Sequence, residues 1–125
     1  MRKQYHFWPG EHGVDAWDVD RLIGLSADLP VQQVALESID EVNSAYWFDD
    51  ANELPTVRRV VDHMRLVQAV DMSYPVILGF DGRVMEGMHR IARAILDGRT
   101  TISAVQFEAH PEPDFRNCRP AELPS

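Results

Sequence analysis

Residues 75–107 read PVILGFDGRVMEGMHRIARAILDGRTTISAVQF, and the spacing of turns and apolar positions within them decides the fold. Pro75-Val76-Ile77-Leu78-Gly79-Phe80 is an apolar run of strand length. Asp81-Gly82 is a dipeptide favoured in two-residue hairpin turns, so Arg83-Val84-Met85 is expected to return as the partner strand. Gly87 follows, and Met88, Ile91, Ala92 and Ile95 then share one face of a short helix that stops at Asp97-Gly98. Thr101 to Phe107 completes the order as a last strand.

Upstream, Val57, Val60, Val61, Met64, Val67 and Val70 repeat at three and four residues, which predicts a helix over Thr56 to Val70. Pro55 suits its first turn, and His63 falls on the polar face, where solvent is expected. Val34 and Leu36 alternate within a short strand over Val31 to Ile39. Between these elements, Asp40 to Asn52 has no period and reads as a loop. Its adjacent Tyr46, Trp47 and Phe48 fit burial against the core, with a ligand lid or stacking platform as the alternative. A first helix is predicted from Asp15, as cap, to about Ser26, preceded by an arm over residues 1–13 held by its aromatics. The Pro-rich segment after His110 is expected to be loosely attached. The expected organisation is an arm and helix (1–30), a core (31–107) and a tail (108–125), in an α+β fold with a small mixed sheet.

The 125 residues suffice for one core, and 45% apolar with 26% charged residues is ordinary globular usage. No run approaches the roughly 20 apolar residues of a membrane span, so a cytoplasmic location is expected. Cys118 is the single cysteine, which excludes an internal disulfide and disfavours a thiolate metal site; it reads as a bystander thiol. A net charge of −8 argues against general affinity for nucleic acid, and no sequence-specific DNA binding is expected. The charge is unevenly placed: eleven acids from Glu11 to Glu53 face Arg21 alone, whereas Leu54 to Phe107 holds seven arginines and five acids. An anion would therefore be held in the second half.

Glu86-Gly87-Met88-His89-Arg90 opens the short helix. Backbone N–H groups in a first turn have no intrahelical partner, and the helix dipole adds positive character there. Gly87 would let an anion approach the backbone, Arg90 could return with a charge-assisted fork, and His89 adds a donor.

The whole run from Pro75 to Phe107, with the helix before it and Val34-Ala35-Leu36 as an opening strand, resembles the ParB/sulfiredoxin-like superfamily over about residues 31–107. The resemblance implies a β-hairpin leading into a phosphate-binding helix N-terminus. Sulfiredoxins carry Gly-Cys-His-Arg; here Gly87, His89 and Arg90 match but Met88 replaces the catalytic cysteine, which excludes sulfinic-acid reduction. ParB proteins carry Gly-Glu-Arg-Arg, of which Gly87 and Arg90 match, and the 18 residues after Phe107 are too few for their DNA-binding region. Free-serine kinases carry Asp-Gly-His-His-Arg, which is similar to residues 86–90 with Met88 as the departure.

The resemblance thus implies a stand-alone domain binding a nucleoside triphosphate, ATP or CTP with magnesium, through Gly87, Met88, His89 and Arg90, with Glu86 adjoining. By the kinase-like branch, Glu37 is the candidate base for a small hydroxyl-bearing substrate, with Asp40 next and His89 assisting. No protein metal site is expected. The alternative is a non-catalytic regulatory module that docks a protein partner and keeps the motif as a structural cap.

Overall fold

The computed structural model describes residues 4–49 and 53–124. Its elements are β1 (Tyr5–Pro9), β2 (Val14–Asp18), α1 (Val19–Ser26), β3 (Gln32–Ala35), α2 (Val57–Ala69), β4 (Val76–Leu78), β5 (Val84–Glu86), α3 (Met88–Leu96), β6 (Thr101–Gln106) and β7 (Phe115–Cys118). They form an α+β fold with two small sheets, one in the order β1-β2-β7 and one in the order β3-β6-β4-β5. The four-stranded sheet is mixed, because β4 and β6 run parallel while the other neighbours are antiparallel. Among the described residues no helix is long and apolar enough to cross a membrane.

Both faces of that sheet are covered. Val76, Leu78, Val84, Ile102 and Ala104 point to one face and pack with Met88, Ile91 and Ala94 of α3 and with Leu36 and Ile39. Ile77, Met85 and Val105 point to the other, against Trp17, Leu22 and Phe107. Alternate residues of β4 thus enter two different cores, which is why its sequence is a continuous apolar run rather than an alternating one.

The hairpin forms, with a longer turn than Asp81-Gly82 alone implies. Gly79 N bonds Arg83 O and Gly82 N bonds Gly79 O, leaving a three-residue loop of Phe80, Asp81 and Gly82. Gly82 takes φ +84°, the left-handed position that such loops give to glycine. Helix α3 ends as expected: Gly98 has φ +75°, its N–H reaches Ile95 O, and Arg99 N reaches Ala94 O.

The N-terminal third differs from the sequence reading. Residues 5–18 form a hairpin rather than an arm and the start of a helix, and the cap of α1 is Asp18, not Asp15. Asp15 instead faces Trp8 in the hairpin, and its Oδ1 accepts from Asn117 N. The last segment is also fixed in place. Phe115–Cys118 pairs with β2, Trp17 Nε1 donates to Pro111 O at 2.8 Å, and Arg21 reaches Glu112 O and Asp114. Cys118 is half-buried in that strand, its Sγ 3.2 Å from Val14 O.

Helix α2 is capped by Thr56, whose side chain accepts from Arg59 N, so Pro55 precedes the cap. Its apolar stripe is mostly uncovered: Val57 is 81% exposed, Met64 is exposed, and Val67 alone is buried. The helix is rotated so that the line through His63 and Val67, rather than the centre of the stripe, faces the domain.

Gly24 lies in the last turn of α1, where a built Cβ would meet no atom within 4 Å beyond its chain neighbours and the helix's own backbone. Gly24→Ala is expected to raise stability by about 0.4–1 kcal/mol through the unfolded chain's lost freedom, read as a higher denaturant midpoint at unchanged slope.

Candidate functional site

Gly87 joins β5 to α3 with φ +110°. A Cβ built there would lie 2.7 Å from Val76 Cγ1 and 2.8 Å from Arg90 Nη2. The space a side chain at residue 87 would need is therefore taken by Val76 and Arg90. The packing of α3 onto β4 requires this residue.

Arg90 also turns inward instead of returning to the helix start from the polar side. Its Nη2 donates to Pro75 O at 3.2 Å and to Glu86 Oε2 in a close ion pair, with only 14% and 20% of the two side chains exposed. The pair fastens the first turn of α3 to the beginning of β4. Arg90 Nε is buried and has no acceptor. Met88 is buried in the core, so its thioether side chain cannot line a ligand site at the helix start and only its backbone N–H could meet a ligand there. The first intrahelical bonds run from Arg90 N and Ile91 N to Gly87 O, which leaves the N–H groups of Met88 and His89 without an intrahelical acceptor.

His89 does not stand alone at this end. Its Nε2 lies 2.8 Å from Nδ1 of His63 on α2, and the two rings are within 17° of coplanar. Trp47 stacks on both, 4.4 Å from the His63 ring and 4.6 Å from the His89 ring, while Phe48 meets His63 edge-on. His63 is thus half-buried rather than in solvent, and the adjacent aromatics cover histidines rather than only the apolar core. Burial, then the neighbouring His63, lowers the pKa of His89 from 6.5 to about 4, and burial lowers that of His63 as well. In the neutral pair one N–H is shared between the facing nitrogens. Of the outer nitrogens, His63 Nε2 and His89 Nδ1, one then donates and the other accepts, whichever tautomer is present. Such a pair can take up a proton at one end and release it at the other.

The loop that supplies Trp47 is tied to the outer strand β5. Glu41 Oε1 accepts from Val84 N at 2.5 Å and Tyr46 Oη donates to Val84 O at 3.5 Å, so two side chains satisfy the free edge of the sheet. Burial raises the Tyr46 hydroxyl to about 12, with the Glu41 and Glu86 carboxylates adding to the shift, and burial raises Glu41 too. Between this loop and α3 lies an apolar cavity of about 190 Å³, bordered by Tyr46, Trp47, Met88 and Ile91.

Glu37 and Asp40 are exposed in short 3-10 turns after β3 and have no hydrogen bond or ion pair among the described residues. Gly87 and the end of β3 share one end of the sheet, but β6 and β4 lie between their strands, a separation of roughly 14 Å at about 4.8 Å per strand. The structure therefore brings together Glu86, Gly87, His89, Arg90 and, unforeseen, His63 and Trp47, and leaves Glu37 and Asp40 apart from them. One signal for His63 was available in its position one turn before Val67 on α2. Among the described residues no group of three or more His, Cys, Asp or Glu side chains could hold a metal ion. No family model matches the chain, and no curated protein or solved structure matches it either.

Three outcomes are expected. Arg90→Ala should cost about 1.5–3 kcal/mol of stability, because Glu86 loses its partner, and Glu86→Gln in the same chain should recover part of it; urea unfolding measures both. Gly87→Ala should destabilise by about 2–4 kcal/mol, from the left-handed φ and the Val76 contact together. Since His89 titrates lower in the fold than in the open chain, the unfolded state binds more protons between pH 6.5 and about 4. Stability is then full above 6.5 and falls as the pH drops through that window, and His89→Gln should flatten part of the slope. His6, also lowered to about 4 chiefly by burial, supplies a slope of the same sign that persists in the variant.

Proposed function

We propose that the chain binds the phosphates of a nucleotide at the start of α3, with His63 and His89 as the proton-carrying part of the site. The observation that carries this reading is the histidine pair: two imidazoles from separate helices, 2.8 Å apart and kept neutral by burial, at a helix end that favours anions. An anion there offsets the cost of charging the pair, so one proton can enter with the ligand.

The resemblance of residues 75–107 to ParB/sulfiredoxin-like proteins supplies the ligand class, ATP or CTP with magnesium carried on its own phosphates. For a phosphoryl transfer to a small hydroxyl-bearing substrate, the geometry favours the histidine pair over Glu37 as proton acceptor, because two strands separate Glu37 from the helix start. In this reading Gly87 and Arg90 shape the site, and the N–H groups of Met88 and His89 with the two imidazoles contact phosphate.

The second reading is a non-catalytic module. It is favoured by the filled space beside Gly87 and by the Glu86–Arg90 pair, which account for much of the motif through packing.

A thermal-shift series with ATP, ADP, CTP and GTP, with and without magnesium, separates the two. A ligand at about 100 times its Kd adds about 2.7 kcal/mol of stability. At least one nucleotide is expected to stabilise the wild type and to lose most of its effect in His63→Gln and His89→Gln. Binding should tighten from pH 8 to pH 6, with proton uptake detected calorimetrically in buffers of different ionisation enthalpy. A flat series in the folded protein leaves the non-catalytic module.

A further inference from the structure

A second cleft, of about 400 Å³, opens where the three-stranded sheet meets the turn of the β4-β5 hairpin. That volume is in the range of small-molecule sites, roughly 300–1,000 Å³. It is remote from the histidine pair, because its two indoles pack with the core cluster on the side of the four-stranded sheet away from α3. Trp8 of β1, Trp17 of β2, Phe80 and Asp81 of the turn, and His110 and Glu112 of the segment before β7 border it.

Aromatic rings make the wall. His110 lies edge-on to Phe80 at 4.6 Å and within 6.2 Å of Trp8 and 6.3 Å of Trp17. The Trp17 indole is fixed by its bond to Pro111 O. Phe80 is 56% exposed, and the turn does not need it: Gly82 N to Gly79 O closes the loop and Asp81 Oδ1 accepts from Arg83 N. An exposed aromatic with no part in turn geometry or core is available to a ligand.

Three carboxylates, Asp15, Asp81 and Glu112, border the same cleft against one arginine, Arg116, which is paired with Glu112. Asp81 Oδ2 is 3.7 Å from His110 Nε2 and 3.6 Å from Arg83 Nε. The affinity of this wall for a cation is already visible within the chain, since the Arg83 guanidinium sits 4.0 Å from the centre of the Trp8 ring without bordering the cleft. Behind the indoles His6 is held neutral by burial, its pKa lowered to about 4, so it adds no opposing charge.

We propose that this cleft binds an alkylated ammonium group, with Trp8, Trp17 and Phe80 as the π wall and Asp15 and Asp81 as counter-charges. A π face attracts a cation through its quadrupole, and alkyl groups on nitrogen fill an apolar wall that a bare ammonium would leave wet. The group can arrive as a free quaternary amine or as the methylated lysine side chain of a peptide.

The test follows the three indole N–H resonances of the full chain by NMR during titration with choline chloride, at ionic strength held constant with sodium chloride. Saturable shifts of Trp8 and Trp17, with Trp47 unmoved, are expected. The neutral isostere 3,3-dimethylbutan-1-ol should bind at least about tenfold more weakly. Phe80→Leu, which keeps bulk and removes the π face, and Asp81→Asn, which keeps the turn's acceptor, should each weaken choline roughly two- to fivefold, the worth of one partly exposed cation–π contact or of one exposed ion pair. A peptide carrying trimethyl-lysine, run beside the same peptide unmethylated, assigns the source: tighter binding than choline points to a protein ligand, weaker binding to a free amine. The proposal is overturned by shifts that do not saturate, by equal binding of the neutral isostere, or by unchanged choline affinity in both folded variants.

Discussion

The three residues of β4 have no side left for solvent: Val76 and Leu78 pack toward α3, Ile77 packs toward Trp17 and Leu22, and β5 and β6 occupy both edges. A strand buried on both faces and bonded on both edges cannot slip by one residue without exchanging its two cores. Its register therefore fixes everything attached to it. Val76 occupies the place of the missing Cβ of Gly87, so α3 begins at one height above the sheet, and Arg90 reaches Pro75 O to hold it there. The position of His89 is inherited from this contact, two residues along the same helix.

The partner of that histidine is placed by other means. Helix α2 gives the domain little apolar area of its own, with Val67 its one buried residue, and its orientation is set where it meets α3. Arg93 of α3 reaches Gln68 O near the end of α2 at 2.9 Å, while His63 meets His89 one turn earlier. Trp47 then closes the pair from above, carried by a loop whose Glu41 and Tyr46 hold the exposed edge of β5. The acidic stretch before α2 thus has a structural use at Glu41: a carboxylate takes the backbone N–H that an outer strand would otherwise present to another chain.

Local chemistry explains which parts of this were legible in the sequence. The glycine and α3 with its Gly98 stop depend on neighbours within a few residues and form where the pattern places them; the hairpin forms there too, with a longer turn, and β6 forms in place although its partners β3 and β4 lie far from it along the chain. The N-terminal hairpin was not legible because β2 is completed by β7, about a hundred residues away, and Val14 to Asp18 carries two acidic residues, Asp15 and Asp18, that also suit a helix start. Asp18 and Asp15 are equally good caps in isolation, and only the pairing of Asp15 with Trp8 across β1 and β2 separates them. At the site the segment 86–90 was legible but the roles of its side chains were not. Whether Arg90 reaches outward or folds back on Glu86, and whether His63 meets water or His89, is decided by tertiary neighbours that no spacing rule contains.

The Glu86–Arg90 pair bears on which functional reading is physically more economical. If the segment served packing alone, a well-fitted apolar pair at these largely buried positions would stabilise the junction at least as well, because desolvating two charges opposes their attraction. The pair also leaves Arg90 Nε buried with no acceptor, a further cost that an apolar junction would avoid. Next to it stand two histidines whose charging is opposed by burial and by each other. In the proposed reading, an acceptor-rich anion at the start of α3 would relieve the histidines' penalty by letting the imidazoles take a proton, while Arg90 stays turned inward on Glu86 and Pro75 O.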